Sequence, residues 1–133
     1  VVDRRSRKIK VLGRTHPGRT HDKKAADTDD LRFPKGSRLL QDSGFQGYEP
    51  PGVQTAQPTK KPKNGTLTPE AKAANTALAR ERVIVEHAIG GAKVFHIVHD
   101  VYRNHRPGFE DLIMETACGL HNLRCDYPFA IAA

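Results

Sequence analysis

The 133-residue chain is predicted to fold as one α/β domain. Three observations lead there. Short β-prone runs (Val1-Val2, residues 9–12, Leu39-Leu40 and residues 53–56) alternate with helical stretches. A strong helix start, Thr68-Pro69-Glu70, opens a long run of helix formers. Phe109, Leu112, Ile113, Thr116, Ala117, Leu120 and Leu123 repeat at the 3-4 spacing of an amphipathic helix. A chain of this length supports one hydrophobic core and not two.

Taken in order, Val1-Val2 and residues 9–12 flank a charged connection and read as a strand end, a turn and a second strand. Asp3 falls in that turn. His16-Pro17-Gly18 is a turn signal, after which Thr20 or Asp22 caps a short helix through Lys23, Ala25 and Ala26. Leu39-Leu40 is a short apolar strand that stops at Asp42-Ser43-Gly44. An Asp at a strand end followed by Gly presents its carboxylate at a sheet edge. Residues 47–69 form a Pro- and Lys-rich loop, with one brief strand at 53–56 and a basic stretch, PTKKPKNG. The helix 69–91 has Thr68 as N-cap, Pro69 at its first position and Glu70 near the positive end of the dipole. It is expected to stop near Gly90-Gly91. KVFHIV reads as an extended run, and the last helix, 107–125, is opened by Pro107.

Hydrophobic residues are 37% of the chain, aromatics 6%, and Trp is absent. A thin core with long polar excursions is expected. No run of about 18 apolar residues exists, so no membrane span is predicted. No charged-then-apolar leader opens the chain, so secretion is not expected. The chain begins inside an apolar pair without Met, which reads as a fragment. Twenty-two Lys and Arg against fifteen Asp and Glu give a net charge of +7. Such a surface attracts polyanions, nucleic acid foremost. Cys118 and Cys125 lie seven apart on one helix, about 10 Å along its axis, too far to bridge. A reduced, cytoplasmic setting follows, at the nucleoid if the host is bacterial. His96 and His99 have zinc-like spacing but lack a second pair of ligands. Cys118, His121 and Cys125 are spread too far along a helix to close on one ion, and core packing accounts for the cysteines.

The long helix carries the most informative pattern. At about 100° per residue, Asn75, Arg82, Glu86 and Lys93 fall within about 40° of one another. Leu78, Val83, Ile84, Val85, Ala88 and Ile89 cover much of the remaining circumference, so packing on more than one side is expected. Arg82 and Glu86 at i,i+4 also form an ordinary helix-surface pair worth a few tenths of a kcal/mol.

The string RERVIVEHAIGGAKVFHIV, with Arg82-x3-Glu86-x6-Lys93, resembles the third-carboxylate helix of DDE-type transposases, in the insertion-sequence and Harbinger-like branch of the DDE superfamily endonucleases. The Tyr that this family carries three residues before the Arg is replaced by Ala79. LLQDSGFQGY resembles the family's second-Asp strand. THPGRTHDKKAAD resembles its Pro-Gly-x-x-His-Asp segment, and KKPKNGTLTPEAKAANTALARER its linker. The likeness runs from about residue 1 to residue 126.

The resemblance implies an RNase H-like mixed sheet with flanking helices, its N-terminal strand or strands missing from this chain. It implies that Asp42 and Glu86 are catalytic and metal-binding, near neighbours over a shared Mg²⁺ or Mn²⁺ site. Arg82, Lys93 and Asn75 are then supporting residues. Lys60, Lys61, Lys63, Arg82 and Lys93 are the expected DNA contacts, and transposon-end DNA the partner. A second copy of the chain, or the missing N-terminal part of the transposase, is the expected protein partner. The family's first Asp has no counterpart, since Asp3 lies in a turn and Asp22 matches the His-Asp pair. The isolated chain is therefore expected not to cleave or join DNA. The alternatives are an inactive transposase remnant acting as a basic DNA-binding protein, and an unrelated basic module for RNA.

Overall fold

A computed structural model describes residues 1–127. Its elements are helix α1 (Asp22–Asp29), strand β1 (Arg38–Leu40), strand β2 (Gln54–Ala56), helix α2 (Pro69–Lys93) and helix α3 (Phe109–Asp126). The architecture is mixed α/β, with β1 and β2 forming a two-stranded parallel sheet in the register Arg38–Gln54, Leu39–Thr55, Leu40–Ala56. Two compact units divide the chain. One is His16–Arg82; the other is Val1–Thr15 together with the chain from Val83 onward.

In the His16–Arg82 unit, α1 begins one residue later than Thr20 capping requires. His21 is its N-cap, without a side-chain capping bond, and Asp22 is the first helical residue. The Asp30 backbone closes the helix in the left-handed region, φ 45°. The brief strand expected at 53–56 is β2, and the Gln41 amide donates to the Ala56 carbonyl (2.9 Å), extending the ladder past β1. α2 starts where the sequence places it: Thr68 Oγ1 accepts from the Ala71 amide at 3.2 Å. Buried residues here are few, among them Ala26, Gln41 and Tyr48.

In the other unit, Val2 and Ile9 pair through a single antiparallel bridge across the expected turn. Asp3 builds that turn. Its carboxylate accepts from the Ser6 hydroxyl and amide and from the Arg5 amide, and the Ser6 hydroxyl foremost holds it below the usual carboxylate range. Arg7 completes the reversal at φ 60°.

Two helical expectations change here. α2 does not stop at Gly90-Gly91 but continues to Lys93. A Cβ on Gly91 would collide with the His121 ring of α3, whereas one on Gly90 would meet nothing within 4 Å. Gly91 therefore marks a close approach of two helices rather than a terminus. KVFHIV is not a strand: its first residue ends α2, and His96–Val98 form a 3-10 turn. The apolar packing expected around α2 is also sparser, since Val83 and Ile89 are 40% and 43% exposed and only Ala88 and Ala92 are buried.

α3 starts at Phe109 rather than at Pro107, with Gly108 as N-cap at φ 76°. Its buried residues are Ala117, which belongs to the expected stripe, and Cys118 and His121, which do not. Leu112, Leu120 and Leu123 are 52%, 41% and 54% exposed. The N-terminal arm explains the choice. Its backbone needs hydrogen-bond partners, and α3 supplies them. Asn122 Oδ1 accepts from the Ile9 amide at 2.7 Å and Asn122 Nδ2 donates to the Ile9 carbonyl at 2.8 Å. His121 Nε2 lies 3.0 Å from the Arg7 carbonyl oxygen. Small residues beside these groups let the arm come close. Both cysteines are free, and burial pushes the Cys118 thiol up, away from reactivity.

Candidate active site

β1 carries the chain directly into the site. Gln41, at the strand's end, is 4% exposed and acts as a clamp. Its Nε2 donates to the Tyr48 carbonyl at 3.1 Å, and its Oε1 accepts from Gln57 Nε2, which also reaches the Phe45 carbonyl at 3.0 Å. The segment 42–48 is thus tied at both ends to one buried amide. A buried amide is tolerated where its donor and acceptor atoms find partners, and both Nε2 and Oε1 of Gln41 do.

Asp42 follows at once and N-caps the 3-10 turn Ser43–Phe45. Its Oδ1 accepts from the Ser43 amide at 2.6 Å. The Arg82 guanidinium meets the same carboxylate with both terminal nitrogens, Nη1 at 3.3 Å from Oδ1 and Nη2 at 3.2 Å from Oδ2. This is the fork-on-fork geometry that makes Arg–carboxylate pairing directional. The Ser43 amide foremost, and Arg82 after it, hold Asp42 below the usual carboxylate range, against the opposing effect of partial burial. Asp42 is accordingly an ionised, acceptor-only group at neutral pH, and its side chain is 55% exposed.

Gly44 makes room for a second acid. A Cβ there would collide with the Asp22 carboxylate, so α1 brings Asp22 against the turn that follows Asp42. That neighbour was indicated in the sequence only by the His21-Asp22 pair. Gly47, at φ 80°, completes the loop in a conformation that favours glycine.

The other sequence-selected residues fall as follows. Asn75 bonds the Thr59 backbone. Its Oδ1 accepts from the Thr59 amide and its Nδ2 donates to the Thr59 carbonyl, both at 2.9 Å, so it pins the basic loop to α2. Lys60, Lys61 and Lys63 are exposed on that loop. Glu81 is an ion-pair partner of Arg38, at 3.3 Å. Glu86 and Lys93 are exposed on the part of α2 that belongs to the other unit, on the helical stripe that includes Arg82.

Asp42 offers the carboxylate oxygens that Mg²⁺ or Mn²⁺ prefers, but Arg82 holds both of them in this structure, so a cation would bind there only by displacing the guanidinium. Among the described residues no helix is long and apolar enough to cross a membrane.

Residues 1–122 match the family described as DDE superfamily endonuclease. A probable transposase for insertion sequence element IS702 from Microchaete diplosiphon is 32% identical over 133 residues, which is all of this chain and 46% of that relative. The chain thus spans about half the length of the curated relative. No solved structure gives a significant match.

Proposed function

The chain belongs to the DDE superfamily endonucleases, and from that membership we propose that it forms part of a transposase core that cleaves and joins DNA phosphodiesters. The family implies a divalent metal and a DNA substrate. Asp42 and Glu86 are proposed to hold Mg²⁺ or Mn²⁺, together with a third carboxylate, in an RNase H-like catalytic domain. When bound, such ions activate the attacking oxygen and stabilise the leaving oxygen of the scissile phosphodiester.

The chain's own residues do the rest. The Ser43 amide keeps Asp42 ionised and fixes its orientation at the end of β1. Arg82 neutralises that carboxylate and, when it is released, offers a bidentate donor to a phosphate. Lys93 lies on the same stripe and adds a second cation for the DNA backbone. Asn75 holds the basic loop against α2, so that Lys60, Lys61 and Lys63 contribute salt-dependent phosphate contacts.

One observation carries this reading. The strand-end acid and the Arg of the Arg82-x3-Glu86 motif, 40 residues apart in sequence, meet as a two-pronged ion pair. The test is Mn²⁺ binding by paramagnetic relaxation of water protons, with Asp42→Ala and Glu86→Ala beside the unaltered chain. Saturable binding weakened by each substitution is expected. Binding untouched by both would refute the assignment.

A second reading, a basic DNA-binding remnant without catalysis, is favoured by the exposed lysine loop and the net charge of +7. It predicts DNA affinity that falls steeply with salt while Mn²⁺ binding is absent.

A further inference from the structure

The 3-10 turn after α2 gathers three ligating side chains. His96 opens the turn, His99 closes it and Asp100 follows. The Asp100 carboxylate bridges the two imidazoles, with Oδ2 3.5 Å from His96 Nδ1 and Oδ1 2.8 Å from His99 Nδ1. The ring centroids are 5.0 Å apart, and all three ligand atoms lie within 4.8 Å of one another. We propose that His96, His99 and Asp100 form a binding site for one borderline transition cation of the zinc class, separate from the hard-cation site assigned to Asp42 and Glu86.

The donor chemistry selects the ion. Two imidazoles and a carboxylate suit Zn²⁺, Co²⁺, Ni²⁺ or Cu²⁺, whereas Mg²⁺ prefers oxygen alone. The geometry is close to what such an ion needs. Bond lengths of about 2.0–2.2 Å place tetrahedral ligand atoms roughly 3.3–3.5 Å apart; of the two observed nitrogen–oxygen separations, one lies at the upper edge of that range and the other, at 2.8 Å, below it. The third edge, between the two imidazoles, is no longer than 4.8 Å and closes by side-chain rotation on binding.

The backbone is already fixed for it. The His96 carbonyl accepts from the His99 amide at 3.1 Å and from the Asp100 amide at 2.8 Å, so the backbone that carries the three side chains is set by the turn. Phe95 and Val98, on either side of His96 and Ile97, are half-buried. The side chains are 82%, 44% and 56% exposed, which leaves water free to complete the coordination shell and makes the ion exchangeable. The His-x2-His spacing alone lacks a further ligand, and Asp100 provides one because the turn curls its carboxylate back between the rings.

The experiment titrates the untagged chain with Zn²⁺ by calorimetry and with Co²⁺ by visible spectroscopy. Expected are one equivalent bound, a cobalt spectrum without thiolate charge transfer, and no competition from excess Mg²⁺. His96→Ala and Asp100→Asn each weaken Zn²⁺ by about tenfold or more, since even outer-shell changes cost about 10–100-fold. Both positions are exposed, so helix content by circular dichroism should stay unchanged. Asp42→Ala and Glu86→Ala leave Zn²⁺ affinity alone. Three results would overturn the proposal: no saturable zinc binding, affinity indifferent to His96→Ala and Asp100→Asn, or a sulfur-to-cobalt band showing that Cys118 or Cys125 is the ligand. None of these outcomes bears on Mn²⁺ binding at Asp42, so the two sites stand or fall separately.

Discussion

Gly90 and Gly91 are adjacent, both lie inside α2, and substituting each by Ala should have opposite effects. A helix-interior Gly costs about 0.8–1 kcal/mol relative to Ala. At Gly90 a Cβ meets nothing within 4 Å, so Gly90→Ala should stabilise the chain by about that amount. At Gly91 the same gain is opposed by collision with His121 Nδ1 and Cε1. That ring cannot easily move aside. It is 8% exposed, and its Nε2 sits 3.0 Å from the Arg7 carbonyl oxygen and 3.5 Å from Cys125 Sγ. Forcing a methyl group into such a contact costs about 1–3 kcal/mol. After the propensity gain, Gly91→Ala should destabilise by about 0–2 kcal/mol, leaving the two variants about 1–3 kcal/mol apart. Urea unfolding followed by circular dichroism reads the difference directly. In a His121→Ala background the collision disappears, and Gly91→Ala should then become stabilising. Equal stabilisation by both substitutions in the unaltered chain would refute the close-approach argument. The outcome matters for the site, because only a helix continuous through these glycines keeps Lys93 within about 40° of Arg82 and Glu86.

Two further predictions concern Asp42. Its folded-state pKa is depressed, so the stability it contributes is fully present above the ordinary carboxyl value of about 3.9 and is lost as pH falls through the lower folded value. Arg82→Gln should cost no more than about 1 kcal/mol at pH 7, as expected for a half-exposed pair. The cost should vanish once Asp42 is protonated; a double-mutant cycle with Asp42→Asn, run at both pH values, reads this, and strict additivity at pH 7 would count against the pair. Gln41→Ala should cost about 1–3 kcal/mol, because the buried amide that ties Tyr48 and Gln57 to the strand end is lost. Hydrogen exchange at the Ser43 and Phe45 amides should rise in step, and unchanged protection would show that the 42–48 turn stands without its clamp.

Features governed by neighbours in sequence were legible from the residues alone. The start of α2 follows from Thr68-Pro69-Glu70, whose capping oxygen and fixed proline backbone act over three or four residues. The strand that stops just before Asp42 follows from two leucines met shortly by Asp-Ser-Gly, and the Asn75, Arg82, Glu86, Lys93 stripe from helical periodicity. The Arg82–Asp42 pair itself was not legible, because nothing local links positions 40 residues apart.

What only the tertiary structure decided are the places where a weak local preference met a stronger distant constraint. A glycine pair disfavours helix by about 1 kcal/mol per residue, yet α2 runs through it because Gly91 lets His121 approach. The leucines of α3 predict its buried face by pattern. The N-terminal arm instead selects Cys118 and His121 beside the predicted Ala117, with Asn122 answering the Ile9 backbone, since an unpaired buried amide or carbonyl costs about as much as a buried leucine gains. Asp100 differs in kind: it adjoins His99 and lies at i,i+4 from His96, so its place between the imidazoles is local, and what the structure adds is the 3-10 turn where an extended run was expected.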